Sequence, residues 1–245
     1  MKISFVIPAH NEEKRLPMAL EAIEKALKAG AYDAEVIVVN NASVDRTGEV
    51  ARSYSWVRVV DEPRRGLPMA RQAGYMVASG DLIANVDADT ILPDFWIDRV
   101  LAEFERDETL AALSGPHVYY DLPFLHRLAT RFWYSIGFLI HLFNHHVLGK
   151  GAMLQGGNFV VRKKHMDQIG GFDTSIDFYG EDTDVARRIS KVGKVKFTFK
   201  LPMYTSGRRL QKEGVLRTSF KYATNYIHTL LRGKPIAYRY TDLRD

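Results

Sequence analysis

Two aspartates one residue apart close an apolar stretch in "ANVDADTILPDF", residues 84–95. An ionised carboxylate is costly to bury unless something pairs with it, so Asp87 and Asp89 demand a partner. If the chain stays extended there, both side chains point to one side and Ala88 to the other. A hard divalent cation satisfies two converging carboxylates, and Mg²⁺ or Mn²⁺ completes its oxygen shell with water and substrate phosphates. The competing reading is a pair of caps ahead of a helix that starts near Pro93. A second acidic group lies in "FYGEDTDVARRI". Glu181 and Asp182 suit the first turn of a helix, where negative charge favours the macrodipole, and Asp184 stands four residues before Arg188. Cations that could face phosphates are Arg71 in "MARQAG" and the pair Arg208 and Arg209 in "TSGRRLQKEG". Their guanidinium forks match phosphate oxygens two at a time, and Gly207 suits a loop that approaches closely.

Such side chains need a frame. Short β-branched runs, "ISFVIP", "AEVIVVN", "WVRVV" and "DLIANVD", alternate with stretches of helical spacing such as Leu16, Leu20, Ile23 and Leu27. That pattern predicts βαβ units in an α/β fold, a mostly parallel twisted sheet covered by helices. Ligands of such sheets bind beyond the carboxyl ends of the strands. The polar segments at those ends are "PAHNEE", "NNASVD" and "DAD".

Four segments in one order, "VIPAHNEE", "NNASVDRT", "ARQAGYMVASGDLIANVDADT" and "FYGEDTDVARRI", resemble the family 2 glycosyltransferases, whose GT-A fold binds a nucleotide diphosphate sugar. The resemblance covers residues 1–210, a nucleotide-sugar-binding half over 1–120 and an acceptor-side half over 121–210; a basic helical tail over 211–245 lies outside it. It implies a metal-dependent, inverting transfer of sugar from a nucleotide diphosphate, a UDP-sugar first, to an acceptor hydroxyl in cell-surface glycan or glycolipid synthesis. On this resemblance Asp89 is the principal metal ligand, and Asp87, with Ala88 between them, faces the ribose and the metal shell. Pro8, Ala9, His10, Glu12, Asn40, Asn41 and Asp45 stand at neighbouring strand ends where a nucleobase would be held. Many relatives have an Asp-Asp pair where this chain has Asn40 and Asn41; an Asn carbonyl can still accept from uracil N3–H. Asp182 is the implied base, with Glu181 orienting it or the acceptor, because direct displacement needs a nucleophile activated opposite the leaving diphosphate. Arg71, Arg208 and Arg209 would stabilise that diphosphate. In "LQGGNFVVRKKHMDQIGGFD", Gly156 and Gly157 permit close backbone approach and Asn158 would face the donor sugar or acceptor. The histidine metal ligand and Gln-x-x-Arg-Trp motif of many relatives are missing, so a third metal contact has no assigned residue.

A rival class shares one motif. Haloacid-dehalogenase-like phosphatases carry Asp-x-Asp-x-Thr, which "DADT" matches, but there it follows the first core strand, whereas three strand-like runs precede it here. A non-catalytic nucleotide-binding protein at a membrane surface is the third reading, favoured if Asp182 does not matter.

The bulk properties bound the rest. A chain of 245 residues with 46% hydrophobic and 26% charged residues fits one ordinary globular domain and excludes a disordered one. The absence of cysteine and an N-terminal apolar run too short for a signal core point to a cytoplasmic protein. The net charge of +5 is uneven: fifteen Lys or Arg stand against three acidic residues from Arg187 onward. Such a surplus attracts nucleic acid, anionic lipid or phosphorylated substrates, and no nucleic-acid partner is expected here. The segment over 122–149 has an uninterrupted apolar core from Phe132 to Phe143, short of the roughly 20 residues that span a bilayer. It reads as a buried helix, as an interfacial helix edged by Arg127, Arg131 and Trp133, or as a dimer face. His126, His141, His145 and His146 make no metal site, since adjacent His145 and His146 cannot face the same way. With the basic tail, the interfacial reading predicts peripheral contact with the cytoplasmic face of a membrane and a carbohydrate or lipid-linked acceptor.

Overall fold

The structure, a computed structural model, describes residues 1–147, 153–177, 179–233 and 236. In chain order the first half comprises β1 (Ile3–Ala9), α1 (Leu16–Lys28), β2 (Ala34–Asn41), α2 (Thr47–Arg52), β3 (Val57–Glu62), α3 (Leu67–Val77), β4 (Leu82–Val86), β5 (Thr90–Ile91) and α4 (Trp96–Arg106). The second comprises β6 (Leu110–Ser114), β7 (His117–Tyr119), α5 (Phe124–Val147), β8 (Asn158–Arg162), α6 (Lys163–Gln168), α7 (Glu181–Ile189), β9 (Lys194–Phe197), β10 (Met203–Thr205), α8 (Arg208–Glu213) and α9 (Val215–Arg232). The main sheet has the order β3-β2-β1-β4-β8-β6-β9. Its first four strands are parallel, β8 runs antiparallel to both β4 and β6, and β6 is parallel to β9. A small sheet, β5-β10-β7, stands beside the end of β4.

The expected α/β sheet covered by helices is therefore present, and side-chain parity shows how it is built. On β1, Ile3, Phe5 and Ile7 face the layer of α1, α2 and α4, while Val6 faces α3, α6 and α7. On β2, Val36 and Val38 go one way and Ile37 and Val39 the other. Both sheet faces are covered, which is why these strands read as unbroken apolar runs. α1 buries Leu16, Ala19, Leu20, Ile23 and Ala26, the spacing of one helical face; each buried Leu or Ile contributes ~1.5–3 kcal/mol. On β4, Leu82, Ala84 and Val86 join the first layer. Ile83, Asn85 and the next residue in phase, Asp87, are thereby aimed at α3 and α7.

Around residues 122–149 the outcome is mixed. Along α5, Phe124, Leu125, Leu128, Phe132 and Leu139 are exposed, whereas Phe138 turns in against Phe197 and Phe199, its ring centroid 5.2 Å from the latter. The helix thus anchors one aromatic side chain on the sheet edge and leaves an apolar stripe outside. The side chains of His141, His145 and His146, and residues 234, 235 and 237–245 of the basic tail, lie outside the described residues.

Asn158 corrects the sequence reading. It faces no cavity: it is fully buried, accepts from Trp96 Nε1 at 3.1 Å and donates to the carbonyls of Leu201 at 2.9 Å and Pro116 at 3.3 Å. A buried amide surrounded by three complementary groups welds β8, α4 and the approach to β10. Asn158→Ala should lower stability by about 2–3 kcal/mol, each hydrogen bond being worth ~1 kcal/mol net. Urea denaturation checks this, with the midpoint expected to fall while the slope of the transition stays unchanged.

Candidate active site

The strand ends of the central sheet open into a cavity of about 430 Å³. Pro8, Glu12, Arg71, Asp87, Ala88, Asp89, Gly156, Glu181, Asp182, Arg208 and Arg209 all line it. These residues come from three of the four motif segments, from the loop before β8 and from the start of α8; "NNASVDRT" contributes none. Ala9, His10, Asn40, Asn41, Asp45, Gly157 and Asn158 are not among its lining residues.

Asp87 and Asp89 reach the cavity by a different route from the one the sequence predicts. β4 ends at Val86, and a turn closed by the Thr90 amide donating to the Asp87 carbonyl at 3.2 Å carries both residues. The chain is not extended here, yet both carboxylates face the same space. Gly157 makes room: it has φ +76°, and a β-carbon there would stand 2.2 Å from Asp87 Oδ2. The close approach expected of this glycine is thus to Asp87 itself.

Arg71 is the centre of the site. Its guanidinium is fully buried, donates to Asp87 Oδ1 at 3.1 Å and pairs with Glu181 Oε1, with the Phe159 ring 5.4 Å away. Each terminal nitrogen pairs with a carboxylate, so Arg71 ties the two acidic motifs together. Gly180, in the left-handed conformation, turns the chain into α7 so that Glu181 and Asp182 lead its first turn. Burial raises the Glu181 carboxyl and the charge of Asp182 adds to this, while Arg71 opposes both. Asp182 Oδ2 accepts from the Gly156 amide at 2.9 Å and Oδ1 from the Thr183 amide at 2.7 Å. Burial is the largest influence on Asp182 and lifts it above the ordinary value, against those hydrogen bonds and Arg71.

Across the cavity, Arg208 pairs with both oxygens of Glu12 and lies 3.1 Å from Asp89 Oδ2. Burial pushes the Asp89 carboxyl up to about 6; Arg208 opposes the shift, and Glu12 and Asp87 add to it. Arg209 donates to Tyr179 at 3.0 Å and pairs with Glu213 at 3.3 Å.

The remaining predicted base-binding residues build the loops around β1, β2 and β3. His10 Nδ1 lies 2.6 Å from the Asn41 carbonyl. The Asn41 amide donates to the carbonyls of Glu62 and Arg64 and accepts from the Gly66 amide at 2.9 Å. Asn40 donates to Asp61. Asp45 accepts from Thr47 and from the Glu13 amide, closing the turn into α2. Burial would raise Asp45, but these hydrogen bonds outweigh it and hold the carboxyl below its usual range. The Asn41 side-chain oxygen thus accepts one donor, and the Asn40 side-chain oxygen is buried with no partner among the described residues.

Sequence reasoning missed an aromatic wall. Tyr119, Tyr134, Tyr179 and Tyr222 line the cavity with His117 and Trp133, and Tyr134 donates to Gln155 at 2.8 Å. Burial pushes His117 down to about 4, so the ring is neutral. The i,i+2 spacing of His117 and Tyr119 on β7 is the signal that could have found them. Beyond this wall the cavity runs between α5 and α9, past Ile136, Leu154 and Ile227.

The donor set fits a hard divalent cation. Asp89 and Asp87 offer only oxygen, and burial disfavours the charged form of Asp89, a cost that a bound cation would offset. Among the described residues no three His, Cys, Asp or Glu side chains form a ready cage. Remaining positions would fall to water and substrate phosphates, the usual arrangement for Mg²⁺.

Comparison with known proteins shows the family and the fold. The sequence profile described as glycosyl transferase family 2 matches residues 4–170. A dolichol-phosphate mannosyltransferase of Pyrococcus furiosus is 27% identical over 249 residues, covering 95% of this chain and 64% of that protein. The fold matches the mannosyltransferase PcManGT of Pyrobaculum calidifontis in complex with GDP-Man and Mn²⁺ at TM-score 0.67 and 17% identity, over 91% of this chain and 64% of that one. It also matches glucosyl-3-phosphoglycerate synthase of Mycobacterium tuberculosis with Mn²⁺, UDP-glucose and phosphoglyceric acid at TM-score 0.61 and 21% identity, over 96% and 81%. The chain spans about half or less of the length of the first curated relatives it matches.

Removing the central cation exposes its role. Arg71→Met leaves the buried Glu181 and the partly exposed Asp87 without this cation and should cost about 3 kcal/mol at neutral pH, most of it from Glu181. Glu181, whose folded value is already raised, adds stability below its unfolded value and loses it as pH rises through the folded one. Without Arg71 that loss deepens, so urea melts of the variant should recover stability between pH 8 and pH 5, relative to the parent.

Proposed function

Because the chain belongs to glycosyl transferase family 2, we propose that it transfers a sugar from a nucleotide diphosphate to an acceptor hydroxyl with inversion at the anomeric carbon. The observation that carries the reading is that Asp182 lines one cavity with Asp87 and Asp89, while Arg71 ties its neighbour Glu181 to Asp87. Residues 1–120 would hold the donor and 121–210 the acceptor.

Asp89 and Asp87 would hold a Mg²⁺ or Mn²⁺ ion, which when bound neutralises charge on the departing diphosphate. Asp182 is the base. Its two oxygens are aimed by the Gly156 and Thr183 amides, and its raised value brings it toward the proton it must take. The acceptor oxygen forms its bond to the anomeric carbon as the carbon–phosphate oxygen bond breaks; the hydroxyl proton goes to Asp182 and the nucleoside diphosphate leaves. Glu181, clamped by Arg71, positions Asp182 rather than competing for the proton. Asn40 donates to Asp61 while its side-chain oxygen has no partner among the described residues, so that oxygen would be the acceptor for uracil N3–H. A panel of UDP-, GDP- and dTDP-sugars identifies the base that binds.

Two features favour a lipid-linked acceptor at a membrane surface. The relative from Pyrococcus furiosus is named for dolichol phosphate, and the exposed α5 stripe of Phe124, Leu125, Leu128 and Phe132 lies beside exposed Arg127 and Arg131. An apolar wedge and a basic flank together give the two signals that peripheral binding requires. The expected site is the cytoplasmic face of an anionic membrane, in surface glycan or glycolipid synthesis. No helix among the described residues is long and apolar enough to cross one.

Asp182→Asn should keep nucleotide affinity near that of the parent and lower transfer by roughly 10²-fold to 10⁴-fold. Since the base acts deprotonated, kcat/KM should rise with pH, its acid limb lying above the ordinary Asp value of about 4. Retained configuration in the product would refute the mechanism. Flotation tests the membrane contact: replacing Leu125, Leu128 and Phe132 by serine should abolish binding to anionic vesicles without loss of fold, and high salt should weaken it in the parent.

A further inference from the structure

We infer that Arg208 is a tethered cation that occupies Asp89 until a nucleotide diphosphate arrives, and so couples metal binding to donor binding. The inference rests on the glycosyltransferase reading and concerns the order in which that site fills. Glu12 and Asp89 are both nearly buried, with side chains 3% and 13% exposed, and Arg208 is the cation in contact with each. The guanidinium reaches Asp89 Oδ2 at 3.1 Å, on the carboxylate that a divalent ion would need.

The two cations therefore compete for one carboxylate. A divalent ion that enters alone displaces Arg208 from Asp89 and then stands beside a positive charge that Glu12 still holds close. A diphosphate changes the balance, because its oxygens offer the guanidinium a bidentate partner while they complete the metal shell. Each ligand removes an obstacle to the other, and linkage makes the coupling equal in both directions.

The surrounding contacts confine the exchange to this side chain. Asp121 fixes the backbone that carries Arg208: it accepts from Ser206 Oγ at 2.6 Å and from the Gly207 amide at 2.5 Å. Leu122 fills the space beside Gly207, where a β-carbon would stand 2.4 Å from it. Arg209 is held by Glu213 and Tyr179 and lies outside this contact. The loop stays in place while the guanidinium moves.

Mn²⁺ binding read by electron paramagnetic resonance tests this without any turnover, each protein being titrated alone and with saturating UDP or GDP. The parent should bind Mn²⁺ alone weakly, with an increase of at least about tenfold on nucleotide addition, within the usual range of coupling. Arg208→Gln should bind Mn²⁺ alone at least about fivefold tighter than the parent and lose most of the nucleotide enhancement. Arg208→Lys, which retains the charge, should stay near the parent in Mn²⁺ affinity without nucleotide. If Arg208→Gln fails to fold because buried Glu12 loses this cation, the double variant with Glu12→Gln carries the same expectation. Unchanged Mn²⁺ affinity in a folded Arg208→Gln protein, or a full nucleotide enhancement there, overturns the inference and leaves the donor reading standing. A parent that binds neither nucleotide with Mn²⁺ overturns both.

Discussion

A buried guanidinium between two carboxylates is the constraint on which this site depends. Arg71 comes from α3, Asp87 from the end of β4 and Glu181 from the start of α7, and the ion pairs hold all three at the floor of the cavity. Taking these charges out of water is expensive, so the arrangement survives only while every partner stays in place. That dependence gives the site its rigidity. The turn at Asp87, the positive φ of Gly157 and the left-handed Gly180 all place a carboxylate where this cation can reach it.

The same device serves two chemical purposes with one set of charges. By holding Glu181, Arg71 leaves Asp182 as the carboxylate oriented by backbone amides beside the aromatic wall. By holding Asp87, it leaves Asp89 to face Glu12 and Arg208 across the cavity. Acidic residues that would repel one another in open contact are thereby sorted into different environments. The sorting follows from which cation each one touches, since all of them are Asp or Glu in similar surroundings.

Much of the frame is legible in the residues. The alternating parity of "ISFVIP" and "AEVIVVN" matches two covered sheet faces, and "DADT" and "GEDTD" do meet in one cavity. What was not legible is pairing across distance. Arg71 and Glu181 lie 110 residues apart, and nothing local in "MARQAG" says that its arginine will be buried. Asn158 and Asn41 mislead for a related reason: an amide next to a motif looks like a ligand contact, while its partners are carbonyls remote in sequence, of Leu201 and of Glu62 at the end of β3. His117 and Tyr119 were overlooked because a three-residue strand gives too few positions for its parity to stand out.

The position of β8 in the sheet has a consequence for how the chain is made. β4 sits at the centre, but its second edge is closed only by β8, which pairs Leu82 with Arg162. A ribosome adding about 5–20 residues per second leaves that edge open for roughly 4–16 seconds after β4 emerges. During this time a strand that is fully buried in the finished fold, "LIANV", presents unpaired amides and carbonyls, the kind of surface that recruits other chains. The amphipathic α5 is synthesised inside the same interval. Solubility of the nascent chain is thus decided within one stretch of translation, and slowing synthesis between residues 87 and 157 would prolong the exposure.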